Sequence, residues 1–140
     1  MQLRVLCVQT QAGAEVVRGE LQRAGYDLTA KRVQTEAGLR RALRTTEWDL
    51  IVVDHVQRGF SAVAALSVVQ EHALDIPFLV IGDSIGEETA VDLMRAGVHD
   101  VINEDNLRRL RPAVERELRE AERRIQHRNS DAALRESEER

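Results

Sequence analysis

The stretch Leu50-Ile51-Val52-Val53 leaves this chain the fewest options. Four aliphatic residues run without a polar break, three of them β-branched. Trp48-Asp49 stands ahead of them, a carboxylate, Asp54, directly behind, and Gly59 five residues later. A short unbroken apolar run suits a strand buried on both faces, as in a parallel sheet. The residue just past such a strand sits at the carboxyl edge, where open α/β sheets place ligands and chemistry. Asp54 is therefore the first candidate functional residue. The competing explanation is a strand-end aspartate that caps the following loop.

The rest of the chain repeats the pattern. Leu3 to Val8, broken only by Arg4, reads as a first strand. Ala14 to Ala24 carries Val16, Val17, Leu21 and Ala24 at helical spacing and is closed by Gly25. Tyr26 to Val33 partly alternates and suits a strand at the sheet edge. Thr35 is the N-cap expected for a helix to Thr46. Phe60 to His72 reads as a third helix, and Ile76 to Ile81 as another buried strand. Glu87 to Ala96, acidic in its first turn as the helix dipole favours, reads as a fourth helix ended by Gly97. Val98 to Ile102 is a last short strand. Strand and helix alternate with links too short for any other crossover, which demands a parallel sheet covered on both faces. The expected fold is α/β, a flavodoxin-like doubly wound five-stranded parallel sheet of order 2-1-3-4-5.

Residues 1–106 hold this sheet and its first four helices; 107–140 changes character. It has no glycine and no strand signal, and its one proline, Pro112, suits a first helical turn. From Glu104 onward ten acidic and ten basic side chains accompany a narrow apolar stripe. Val114, Leu118, Ala121 and Ile125 are spaced four, three and four apart, a heptad-type seam. Arg128 and Asn129 interrupt it and Ala132 could resume it. The expectation is one long helix that pairs with a second copy as a coiled coil. The alternative is a helix packed on the sheet to about Leu118 and solvated beyond.

Composition narrows the setting. An apolar content of 43% in 140 residues supports one real core. The net charge of −4, with signs interspersed, gives no reason to expect nucleic acid or an anionic membrane as partner. Cys7, the one cysteine, lies in the first apolar run and reads as a buried hydrophobe, which favours a reducing, cytoplasmic setting. No signal peptide is expected, and no apolar window nears the roughly 20 residues that span a bilayer. His72, His99 and His127 lack metal-ligand spacing. His55, beside Asp54, reads as a loop histidine or a pH-sensitive neighbour. Trp48 should pack at the start of the third strand. Val91, Met94, Val98 and Val101 could form a partner-binding face or the inward stripe of the fourth helix and fifth strand.

Taken together, the strand ending at Asp54, Gly59, the Pro77-Phe78-Leu79-Val80-Ile81 strand and the Arg95-Ala96-Gly97-Val98-His99-Asp100 turn resemble the receiver domain of two-component response regulators. The resemblance covers residues 3 to about 120. Ser84-Ile85-Gly86-Glu87-Glu88 and Asp105-Asn106-Leu107 resemble the subgroup placed ahead of sensory PAS domains, and Ala133 to Arg140 resembles a PAS lead-in helix. The resemblance implies a non-enzymatic signalling module, the front of a longer protein, with a histidine kinase and a PAS-type output domain as partners.

It also implies a site. Asp54 matches the aspartate that accepts a phosphoryl group. The acidic pair that holds Mg²⁺ matches Gln9 and Thr10, both neutral. The lysine matches Glu104, or Asn103 on a slip of one. The Ser or Thr of the switch matches Gly82, with Ser84 two residues on. The expectation is a degenerate pseudo-receiver with weak or absent Mg²⁺ binding and no cofactor. The alternative is a working phospho-receiver on Asp54, for which a cation site from Asp54, Asp83 and Glu104 is conceivable. A flavodoxin-like enzyme or nucleotide binder is a third reading, but Gln9-Thr10-Gln11-Ala12-Gly13 carries one glycine and no phosphate-cradling pattern.

Overall fold

The computed structural model describes residues 2–55, 59–72 and 74–138, with side chains through residue 130. Five strands, β1 (Gln2–Val8), β2 (Asp27–Val33), β3 (Leu50–Asp54), β4 (Phe78–Gly82) and β5 (Asp100–Asn103), alternate with five helices. The helices are α1 (Gln11–Arg23), α2 (Glu36–Thr45), α3 (Ala62–Glu71), α4 (Glu87–Ala96) and α5 (Leu110–Glu138). A 3₁₀ segment, Glu104–Arg109, precedes α5. The sheet is parallel throughout, in the order β2-β1-β3-β4-β5. This is the fold and order expected from the alternation.

The apolar runs explain the layering. Leu6 and Val8 on β1, Ile51 and Val53 on β3, and Phe78 and Val80 on β4 pack with Leu39, Leu66 and Leu93 from α2, α3 and α4. Their chain neighbours Val5, Cys7, Leu50, Val52, Leu79 and Ile81 face α1 and α5, meeting Val17, Leu21, Leu110 and Val114. The side-chain period of two thus fills two cores from one sheet. Thr10, Thr35 and Ser61 cap α1, α2 and α3, each accepting a backbone N–H three residues on.

Two strands begin later than their apolar runs. Pro77 has no N–H for the ladder, and β4 starts at Phe78. Val98 gives its N–H to the Leu93 carbonyl and Gly97 gives its own to Met94, so both belong to the end of α4. Gly97 sits at φ 126°, a conformation that side chains rarely adopt. Val98 and Val101 point inward, whereas Val91 and Met94 on α4 are exposed. Trp48 is buried before β3 and donates its indole N–H to the Ala42 carbonyl at 3.0 Å.

The helix α5 begins at Leu110, after the 3₁₀ segment rather than at 107, and 29 residues at 1.5 Å each give it about 43 Å. Within one chain its apolar stripe is largely buried. Val114 is wholly buried in the α1-side core, Ala121 is buried, and Leu118 packs against the same core. Ile125 is the member left exposed, at 48%. A four-three-four spacing marks one face of a helix, and here the chain's own sheet takes most of that face. The side chains of Ala132 and of Ala133 to Arg140 lie outside the described residues. No helix among the described residues is long and apolar enough to cross a membrane.

Candidate functional site

Register brings the site together. Val8 pairs with Val53, so the next residues, Gln9 and Asp54, emerge side by side at the carboxyl edge. Because β2 lies on one side of β1 and β3 on the other, the winding reverses between β1 and β3, and a crevice opens at the carboxyl edge there. The cleft has a volume of about 380 Å³, and its walls include Gln9, Thr10, Gly13, Asp54, Ile81 and Glu104.

The Asp54 carboxylate is fastened by the chain itself. Gln9 donates its Nε2–H to Oδ1 at 2.9 Å, and Thr10 donates its backbone N–H to Oδ2 at 2.9 Å. The Thr10 hydroxyl lies 3.4 Å from Oδ2 and accepts the Gly13 N–H at 3.2 Å. Gln9 is wholly buried, and its carbonyl oxygen has no partner among the described residues. Gly13 permits the approach: a Cβ there would stand 3.0 Å from both Asp54 oxygens and 3.2 Å from Gln9 Nε2.

The other positions implied by the resemblance are occupied by different chemistry. Gly82 is not merely short of a hydroxyl. A Cβ on it would meet Ile85 Cδ1 at 2.7 Å and His55 Cβ at 2.8 Å, so Ile85 fills the space. Ser84, at φ 54°, gives its hydroxyl to its neighbour Asp83 at 3.3 Å and does not line the cleft. Asn103 ends β5 opposite Gly82 and turns its carboxamide to the β4–α4 loop. Its Oδ1 accepts the Ile85 N–H at 2.6 Å and its Nδ2 donates to the Ile85 carbonyl at 3.3 Å. Glu104 is exposed on the cleft wall. His55 gives its backbone N–H to Ile81 at 2.8 Å, and its Nδ1 is buried without a partner among the described residues.

The residues do not fit the Mg²⁺ that the resemblance implies. That ion takes near-octahedral oxygen coordination through one or more carboxylates. Gln9 and Thr10 stand where those carboxylates would be, and both direct N–H donors at Asp54. A donor N–H pointed at this place repels a cation, and each one takes up a lone-pair site of the carboxylate. Among the described residues no three His, Cys, Asp or Glu side chains are grouped to hold a metal ion, so Asp54, Asp83 and Glu104 form no such site.

Sequence reasoning missed one charged cluster. Asp100 is buried at the start of β5, where both its oxygens accept from Arg109 at 3.2 Å and one accepts from Arg116 at 2.9 Å. It also accepts the Val101 N–H at 2.8 Å. The available signal was an aspartate opening an apolar strand with two arginines seven apart downstream, Arg109 at the end of the 3₁₀ segment and Arg116 on α5. His99 Nδ1, next to it, accepts the Phe78 N–H at 3.0 Å, a structural role.

No family model matches this chain, and no curated protein matches it. Solved structures do. A signal receiver domain from Vibrio parahaemolyticus superposes with a TM-score of 0.76 at 20% identity, covering 89% of this chain and 96% of that one. The beryllofluoride-activated NtrC4 receiver domain dimer gives 0.72 at 18% identity, covering 84% and 98%. A fusion carrying the yeast Spc42 trimeric coiled coil gives 0.75 at 20% identity, covering 99% and 93%. At these identities the likeness is one of fold, and the fold of this chain is that of the response regulator receiver domains.

Proposed function

We propose that the chain is a receiver-type signalling domain impaired in phosphoryl transfer, serving as an interaction and dimerisation module. The observation that carries this reading is the occupancy of Asp54: both carboxylate oxygens accept hydrogen bonds from Gln9 and Thr10. A carboxylate attacking a phosphoryl group meets like charge, and a bridging cation normally removes that repulsion. Gln9 and Thr10 supply no anionic ligand for one. Glu104 and Asn103 supply no positive charge, and Ile85 stands where a switch hydroxyl would be. Each missing electrostatic partner costs about 3 kcal/mol of transition-state stabilisation, and three together make transfer very slow.

A phospho-receiver that takes its phosphoryl group from a histidine kinase is the second reading. Asp54 favours it, since the residue lines an open cleft at the end of β3. Incubation with Mg²⁺ and a small phosphodonor, read by intact mass with Asp54→Ala as control, separates the two. No added phosphoryl mass on folded protein is expected. Stoichiometric labelling of Asp54 overturns the first reading.

The partner proposed is a second copy of the chain, joined through α5 beyond the domain, with a PAS-type output domain following. The NtrC4 neighbour is a dimer, which supports pairing, and the exposed Ile125 on the part of α5 that reaches past the domain supports placing the contact there. A change in how α5 packs on the sheet would rotate or slide the paired helices and pass the motion to the output domain.

A further inference from the structure

We infer that Gln9 takes the place of a cation, making Asp54 a structural cross-link whose stabilising effect needs no divalent metal. A lone carboxylate at a sheet edge is stable when its lone pairs meet donors. Here each oxygen has one within 2.9 Å, from two residues of the segment that leaves β1 for α1. The link ties β3 to the end of β1 and to the first turn of α1, where Thr10 is also the N-cap.

Charge fixes the direction of the Gln9 carboxamide. Turned over, its carbonyl oxygen would face a carboxylate oxygen at hydrogen-bond distance. In the orientation observed the carbonyl oxygen is buried without a donor among the described residues, which is costly. The carboxamide holds that orientation because the bond to the Asp54 charge outweighs the orphaned oxygen. Gly13 belongs to the same device. Its missing Cβ leaves the space in which the α1 N-terminus closes on Asp54 and Gln9.

The cross-link deepens the proposed function, resting on the same occupancy of Asp54, and its test needs no phosphodonor. It therefore stands or falls apart from the labelling result. Thermal melts of the full chain in EDTA and in Mg²⁺ are compared for wild type, Asp54→Ala, Asp54→Asn and Gln9→Glu. The wild-type Tm is expected to be the same in both buffers. Asp54→Ala strands the Gln9 and Thr10 donors and should lower Tm by roughly 4 to 8 °C. Asp54→Asn keeps one acceptor and should fall between. Gln9→Glu sets two carboxylates face to face, so its Tm should drop in EDTA and recover in Mg²⁺. A wild-type Tm that rises with Mg²⁺ overturns the inference. So does an Asp54→Ala Tm above wild type, the mark of a carboxylate held against repulsion. If Gln9→Glu fails to fold, the two Asp54 variants decide the question alone.

Discussion

Arg124 of α5 donates its Nε–H to Asp75, in the segment ahead of β4, at 2.8 Å, and Arg128 approaches the same oxygen at 3.5 Å. The contact reaches one helical turn past Ala121, where the apolar packing ends. Helix α5 is thus held to the domain by packing first and by charge after.

The Arg124 bond, followed by the nearby charges of Arg124, Arg128 and His99, holds the Asp75 carboxyl below its ordinary value. A depressed folded-state pKa means that the link is present above the unfolded value near 4 and is lost as pH falls through the lower folded value. Both side chains are about a third exposed, so solvent screens the pair and it contributes less than about 1 kcal/mol. Arg124→Ala should leave Tm nearly unchanged and raise amide hydrogen exchange over 122–128 at pH 7. Exchange there that matches wild type would remove the ion pair from the account of how α5 leaves the domain.

Cys7 lies in the middle of the sheet, and burial pushes its thiol from an ordinary 9.0 up to about 11. The native thiol should therefore resist a thiolate-selective alkylating reagent at pH 8 and react fully once the chain is unfolded in urea. The sign of the linkage follows. A raised folded-state pKa gives stability that is complete below 9 and is lost as pH rises through 11, at up to about 1.4 kcal/mol per pH unit. Cys7→Ala should flatten urea-derived stability across that window. Native alkylation as fast as that of the unfolded chain would contradict the burial.

Gly82 and Ile85 exclude a simple restoration of the switch hydroxyl. Gly82→Thr drives a Cβ to 2.7 Å from Ile85 Cδ1. Overpacking of this kind costs about 1–3 kcal/mol. Adding Ile85→Ala should return part of that loss, a non-additivity expected of residues in contact. Urea denaturation of the two single variants and the double variant measures it, and strict additivity would mean that Ile85 is not the obstruction.

Much of this was legible because apolar runs and caps are local signals. Leu50 to Asp54 declared a strand and its carboxyl edge, and Thr35 and Gly97 declared their helix ends. Gln9, Thr10, Gly82 and Glu104 could be singled out by position. What they do could not be read. That Gln9 bonds to Asp54 depends on the Val8–Val53 register, and that Ile85 fills the Gly82 space depends on how the β4–α4 loop folds back. The Asp100 cluster was hidden for the same reason, since Arg109 and Arg116 reach it only after α5 docks. The stripe on α5 left two readings open because spacing reports a face and not its partner.

That last point sets a sharper test of pairing through α5. Val114 is wholly buried within one chain, so Val114→Asp should unfold the domain and say nothing about assembly. Ile125 is 48% exposed and carries little of the fold. If two copies pair along α5 beyond the domain, Ile125→Asp buries a charge in that interface. Sedimentation should then find monomers at an unchanged Tm. Equilibrium runs across protein concentrations check both chains, and a variant that dimerises like wild type would move the interface away from this face of α5.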